Sequence, residues 1–277
     1  MTITLVLFRW PQLCLAFWVG LGLASSGCAL QALFANPLAD PYVIGVSGSA
    51  ALFGSLAMIL FGFDNPLYVA LFAVAGSLVV CIAFASITSS ESMLLAGLLV
   101  NAFASALISL VKILLPADKT QSLLFWLLGS IPKVPLFTFW LTGAGILSGT
   151  FMLVRKSRVI ELLSLGDDEA MRLGVNPAWE KRRIHFAISL IVGVIVAFCG
   201  FIGFVGLLVP QIARMLIGNN QQKLIPISAL SGGVLLLLFE STSMNVGIPT
   251  GVLTALVGTP VFGILAYATH RKSIRSY

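Results

Sequence analysis

The segment Ile184-His-Phe-Ala-Ile-Ser-Leu-Ile-Val-Gly-Val-Ile-Val-Ala-Phe-Cys-Gly-Phe201 runs for 18 residues without an Asp, Glu, Lys or Arg. A bilayer core about 30 Å thick takes roughly 20 helical residues to cross, so this run reads as a membrane span. Its surroundings repeat the pattern. Windows of the same kind lie at 12–34, 42–61, 67–87, 93–115, 136–154, a short one at 202–217, 224–243 and 250–268, which with 184–201 makes nine predicted spans separated by charge, Pro or Asn-Pro. Gln121 to Ile131 is apolar but about half a span long, and is expected to form a re-entrant or interfacial helix. The whole chain agrees: it is 58% hydrophobic and 9% charged, against about 25% charged in soluble proteins. A mean hydropathy of +1.04 leaves too little polar surface to cover a soluble core. This excludes a cytosolic enzyme, a nucleic-acid binder and a disordered regulator. The expected fold is an all-α integral membrane protein, residues 1–277 forming a single transmembrane domain.

Charge sets the predicted orientation, because Lys and Arg near span ends collect on the cytoplasmic side. Placing 35–41, 88–92, 155–183, 214–223 and the C-terminal tail on one side gives that side twelve basic residues, from Arg155, Lys156 and Arg158 through Arg214 and Lys223 to Arg275. The other side keeps Arg9, Lys112, Lys119 and Lys133. With nine spans the N-terminus is then outside and the C-terminus inside, and the net charge of +6 needs no anionic partner. The first 30 residues lack the basic start and small-residue cleavage site of a secretory signal. Cys14, Cys28, Cys81 and Cys199 sit in apolar runs without paired spacing and read as small buried hydrophobes. His185 and His270 have no ligand cluster near them in sequence, so no metal site is expected.

Val19, Gly20, Ala24, Gly27, Pro37 and Gly45 recur at an offset of 173 as Val192, Gly193, Ala197, Gly200, Pro210 and Gly218. The copies begin on the first and sixth spans, an odd number of crossings apart, and so run in opposite directions. Inverted repeats of this kind mark transporters built from two halves that rock about a central path. The competing reading is that glycine-rich helix packing recurs by itself.

No Walker A pattern, HExxH or nucleophile elbow is present, so energy for transport has to come from outside the chain. The one large polar segment is 155–183. Its centre, Ser164-Leu-Gly-Asp-Asp-Glu-Ala-Met-Arg-Leu-Gly-Val175, reads as a short helix capped by Ser164 or Asp167. Asp168 and Glu169 stand at the positive end of its dipole, and Gly174 takes the left-handed residue after its last turn. A helix so marked on the cytoplasmic face suits docking of a soluble partner; a solvated loop is the plainer alternative.

Four runs in order resemble one family: Gly27-Cys-Ala-Leu-Gln-Ala-Leu-Phe-Ala-Asn-Pro-Leu-Ala-Asp-Pro-Tyr-Val-Ile-Gly-Val-Ser47, Gly166 to Val175, Gly200-Phe-Ile-Gly-Phe-Val-Gly-Leu-Leu-Val-Pro-Gln-Ile-Ala-Arg214, and Ile248-Pro-Thr-Gly-Val-Leu-Thr-Ala-Leu-Val-Gly-Thr-Pro260. They are similar to the permeases of ATP-binding-cassette importers, type II, for iron-siderophores, haem and cobalamin, over nearly the whole chain. The resemblance implies a bacterial inner-membrane permease, usually of ten spans, paired as a homodimer. It also implies two ATPase subunits that carry the ATP and Mg, and a periplasmic or lipid-anchored substrate-binding protein. No cofactor is implied in this chain and no nucleic acid. With nine spans the chain starts where the family's second span would, so either the start is misassigned or the permease is shorter.

Carried onto this sequence, the resemblance implies ATPase coupling through Gly166, Asp167, Asp168, Glu169, Ala170, Arg172, Leu173, Gly174 and Val175. It implies a cytoplasmic gate at Asn36, Pro37, Leu38, Thr88, Ser89, Ser90 and Glu91, where turn chemistry alone is the alternative. Arg9 is implied to dock the binding protein. Three departures stand out: Gln211 replaces the family's His after the Pro, Glu240 replaces a membrane-embedded Asp, and Arg9-Trp10-Pro11-Gln12 keeps one of two external arginines. Glu240 is either a functional intramembrane carboxylate or an interfacial cap at the end of its span. Trp126 and Trp140 read as interfacial anchors. The expected function is import of a metal chelate, iron-siderophore or haem first, because a bare ion would need a ring of fixed ligands that is absent. The alternatives are a cobalamin or molybdate importer permease, or a secondary transporter in which Glu240 carries the coupling proton.

Overall fold

The computed structural model describes residues 2–62, 65–84, 87 and 89–275 and, within these, the side chains of all but residues 2–9, 66, 90 and 265–275. The described chain is helical: α1 (Thr2–Leu33), α2 (Val46–Phe61), α3 (Pro66–Ala83), α4 (Ser90–Leu114), α5 (Ala117–Leu127), α6 (Leu136–Arg155), α7 (Ser157–Leu163), α8 (Asp167–Arg172), α9 (Pro177–Cys199), α10 (Val205–Ile217), α11 (Gln221–Val246) and α12 (Thr250–Arg275). Five of these contain stretches long and apolar enough to cross a bilayer: Trp10–Leu33, Glu91–Leu114, Leu136–Arg155, Pro177–Cys199 and Gln221–Val246. Four shorter apolar helices, Val46–Phe61, Leu67–Ala83, Val205–Ile217 and Thr250–Ile264, occupy the remaining predicted windows.

Helices hydrophobic all round belong at the centre. In α1 and α9, 78% of the apolar window is buried, against 22% in α4, so the first two form the core and α4 lies at the periphery. Close approach in the centre depends on missing side chains. A Cβ on Gly20 would meet the Gly232 backbone of α11, and one on Gly27 the Gly206 backbone of α10.

Contact order fixes the directions. Trp18, Gly22 and Ser25 of α1 meet Gly143, Ile146 and Thr150 of α6 in the same order, so these helices are parallel. Gly145 and Gly149 of α6 meet Val194 and Ile191 of α9 in reverse order, so α9 runs against both α6 and α1. Taken in order, α1–α4 and α9–α12 also exchange partners: α1 packs on α10 and α11, as α9 packs on α2 and α3. The offset of 173 fits the two halves only in part. Val19 to Gly27 and Val192 to Gly200 fall on α1 and at the end of α9, but Pro37 lies in a turn whereas Pro210 is inside α10.

Other boundaries move for local reasons. The half-length helix forms at Ala117–Leu127, starting after Pro116 and stopping before Gly129 at φ 75°, earlier than the apolar run predicts. Helix α9 starts at Pro177, seven residues before the predicted span, because Asn176 accepts a hydrogen bond from Trp179 N at 3.2 Å and caps it. Of the two predicted interfacial tryptophans, Trp126 packs its ring on Gly54 and against the core, while Trp140 is 57% exposed.

Candidate functional site

The polar segment folds as α7, α8 and the charged start of α9. Neither predicted cap operates on α8. Ser164 Oγ donates to Glu161 O at 2.6 Å, and Asp167 pairs with Lys181 at 2.7 Å, so Gly166 at φ 110° takes the N-cap without a side-chain bond. The C-terminal end follows the sequence reading. Gly174 is left-handed at φ 82°, Gly174 N donates to Met171 O at 3.0 Å and Val175 N to Ala170 O at 2.9 Å, the two bonds of a Schellman motif. Asp167, Asp168 and Glu169 fill the first turn and Arg172 the last, which suits the helix dipole. Ion pairs Asp167 to Lys181 and Lys156 to Glu180 (2.8 Å) tie the segment to α9. Leu165, Met171, Leu173 and Trp179 remain more than half exposed, so apolar side chains are presented on a polar segment.

The predicted inner gate consists of two turns at the same end of the bundle. Asn36 Oδ1 accepts from Leu38 N at 2.9 Å and Asp40 Oδ1 from Tyr42 N at 2.8 Å, two side-chain-closed turns in succession. Burial pushes the Asp40 carboxyl up to about 6, opposed by the Tyr42 N–H. Pro37 and Leu38 are exposed, and Gln211 donates to Pro37 O at 2.6 Å, so an amide from α10 now holds this turn. In the second turn Ser89 caps α4 by accepting from Ser92 N, and Glu91 is exposed in its first turn. Thr88 and the side chain of Ser90 lie outside the described residues, as does the side chain of Arg9. No hydrogen bond among the described residues joins the two turns. Beside the first, a cleft of about 640 Å³ is lined by Gln31, Glu161, Arg214 and Gln221 among others. Arg214 donates to Gln31 Oε1 at 3.2 Å at its edge.

Glu240 does not cap its helix, since α11 continues to Val246. It is 2% exposed, accepts from Gln12 Nε2 at 2.9 Å and from the Thr250 hydroxyl, and so links α1, α11 and α12. Gln12 also donates to Ile131 O at 2.7 Å.

Sequence reasoning missed the junction around Tyr42. Between α9 and α10 the chain unwinds at Gly200–Phe204, with Phe204 at φ 68°. Tyr42 stacks on Phe201 at 4.7 Å, and its hydroxyl accepts from Ile202 N at 3.3 Å. Asn101 of α4 donates to Tyr42 O at 2.8 Å and accepts from Gly48 N at 3.1 Å. An Asn in the middle of an apolar span was the available signal. A second cavity, about 660 Å³, is lined by Leu127, Phe201, Phe204, Gly251 and Pro260 among others and is almost wholly apolar. Cys28 and Cys199 are buried. Among the described residues no cluster of His, Cys, Asp or Glu could hold a metal ion.

This helical bundle has matching relatives. The model of the FecCD transport family matches residues 2–268. The molybdate import system permease protein MolB of Haemophilus influenzae is 36% identical over 272 residues, covering 95% of this chain and 80% of its own. The hemin transport system permease protein HmuU of Yersinia pestis is 34% identical over 268 residues, covering 92% and 80%. A solved inward-facing metal-chelate type ABC transporter superposes with a TM-score of 0.89 at 34% identity, covering 95% of this chain and 88% of that one. The chain belongs to the FecCD transport family, as an integral membrane permease of the ATP-binding-cassette import type.

Proposed function

We propose that this chain conducts a metal chelate, an iron-siderophore or haem complex first, into a bacterial cytoplasm across the inner membrane, paired with a second copy of itself. Two separate ATPase subunits supply the energy through Gly166 to Val175, and an external binding protein delivers the cargo. The observation that carries this reading is α8: a helix closed at its C-terminus by a Schellman motif, pinned to α9 by the Asp167–Lys181 ion pair, with Leu173 and Met171 exposed beside it. Apolar side chains held out on a fixed short helix suit a groove on a soluble partner. Support for the cargo class comes from relatives named for haemin and for molybdate, both anionic in water. The relative named for molybdate keeps an oxyanion open as a second cargo. The test is co-reconstitution in liposomes with an ATPase and a binding protein from the same organism's importers of this family. ATP hydrolysis stimulated by one of ferric-siderophore, haem, cobalamin or molybdate is the expected result. Uptake driven by a pH gradient with no ATPase present would overturn it.

A further inference from the structure

Asn101, Ser105, Ile108 and Lys112 recur at helical spacing on α4 and face one cavity of about 300 Å³. Tyr42, Gly48 and Ala51 of α2, Leu127 of α5 and Phe201 line the rest of it, and the cavity opens to the surface. The polar groups in it divide into two kinds. Asn101 uses both ends of its amide on Tyr42 O and Gly48 N, and the Tyr42 hydroxyl already accepts from Ile202 N, so these groups build the wall. Ser105 Oγ and the Lys112 ammonium make no hydrogen bond or ion pair to any other described residue. Lys112 is half-buried and lies near the α4 terminus that the charge distribution places outside. Asp118, in the first turn of α5, is exposed and is not paired with it.

A cation in a membrane helix is costly unless paired or facing water. Low-dielectric walls on the remaining sides focus its field into the cavity and raise the local concentration of anions. We propose that Lys112, with the exposed Ser105 about two turns away on the same face of α4, makes this cavity an anion-selective vestibule. Its cargo is then an anionic, oxygen-rich chelate or oxyanion, and neutral or cationic chelates are disfavoured. This rests on the importer reading and narrows its substrate class by charge.

The test has one arm that needs no knowledge of the cargo. Ser105→Cys, in the permease purified with its ATPase, is labelled with a sulfonate-bearing and with a trimethylammonium-bearing methanethiosulfonate, each rate taken as the excess over the chain without that cysteine. Seven helical residues put Ser105 about 10 Å from Lys112 along the axis. A unit charge at that range in a partly dry site should favour the anionic reagent about tenfold. Lys112→Met should abolish that preference and Lys112→Arg should keep it. In the transport arm, Lys112→Met should reduce uptake of ferric citrate at least fivefold more than uptake of a neutral ferric trihydroxamate. An unchanged reagent ratio in Lys112→Met, or no labelling of Ser105→Cys by either reagent, would overturn the vestibule. If the unsubstituted complex takes up no probe, molybdate included, the importer reading falls, and the labelling ratio still decides for or against the vestibule.

Discussion

Replacing Leu173 by Asp separates docking from folding. Leu173 is the C-cap of α8; its backbone N–H bonds to Glu169 O at 3.1 Å and its side chain is 57% exposed, so the fold uses little of it. Fully burying a Leu contributes about 1.5–3 kcal/mol, so covering the exposed part in an ATPase groove contributes about 1–1.5 kcal/mol. An Asp in the same groove loses that and adds the desolvation of an unpaired polar group, about 1–3 kcal/mol. The expected loss is about 2–4 kcal/mol, or roughly 30-fold to several hundred-fold in affinity. The assay is titration of the ATPase onto the permease in nanodiscs, with thermal unfolding of the permease alone as the control. Leu173→Ala should cost roughly 5-fold to 12-fold and neither variant should shift the unfolding midpoint by more than a few degrees. ATPase affinity within twofold of the parent in Leu173→Asp would remove α8 from the coupling path.

Gly27→Ala puts a methyl group onto the Gly206 backbone and should destabilise the chain by about 1–3 kcal/mol or more, whereas Gly263→Ala, with open space around it, should not; equal unfolding midpoints for the two would refute the close approach. Glu240→Gln keeps the volume and most hydrogen bonds to Gln12 and Thr250, so ATP-driven uptake should persist; its loss, together with proton-driven uptake by the unsubstituted chain alone, would restore the proton-coupled alternative. Asp40 ionises near 6 when folded and near 3.8 when not, so its ionisation costs nothing below pH 3.8 and weakens the fold as pH rises through 6. Asp40→Asn should therefore stabilise by about 1–3 kcal/mol at pH 7.5 and hardly at all at pH 4, and the same gain at both would contradict it.

The spans were legible because hydropathy reports burial in lipid directly, and Gly174 because a left-handed residue after a helix has few alternatives. The ends of α9 and α11 were not, since hydropathy marks only the apolar part of a helix. Asn176 and Asn220 cap these helices from the polar side, by accepting from Trp179 N and from Gln222 N and Lys223 N. The α8 cap was misread for a different reason. Ser164 and Asp167 both had suitable chemistry, but each was engaged by a nearer partner, Glu161 O and Lys181, that no local pattern reveals. Glu240 could not be resolved from sequence, because its partners Gln12 and Thr250 come from two other helices. The cavity face of α4 was not read from sequence: Asn101, Ser105 and Lys112 recur at helical spacing, but only the fold sets Tyr42 and Phe201 across from them.

The unwound stretch between α9 and α10 shows what in this bundle is rigid and what is free to change. Backbone that leaves a helix at membrane depth has to find partners within the protein. Here the partners come from distant elements: Ile202 N donates to the Tyr42 hydroxyl, and Ser130 N to Cys199 O at the end of α9 at 2.9 Å. Tyr42 belongs to the first half and Phe201 with Ile202 to the second, so the two antiparallel halves meet across one aromatic stack and one hydroxyl bond. They also meet through Gly20 on Gly232 and Gly27 on Gly206, backbone against backbone, and through side-chain bonds from Gln12 to Glu240, Arg214 to Gln31 and Gln211 to Pro37 O. A hydroxyl bond of 3.3 Å and a ring stack, each worth about 0.5–1.5 kcal/mol, exchange easily for water or cargo contacts. Close-packed glycine seams do not, because any separation opens a void along both helices. Parting the halves at Tyr42, between the inner turn at Asn36–Asp40 and the cavity that holds Lys112, therefore costs less than opening the seams at Gly20 and Gly27.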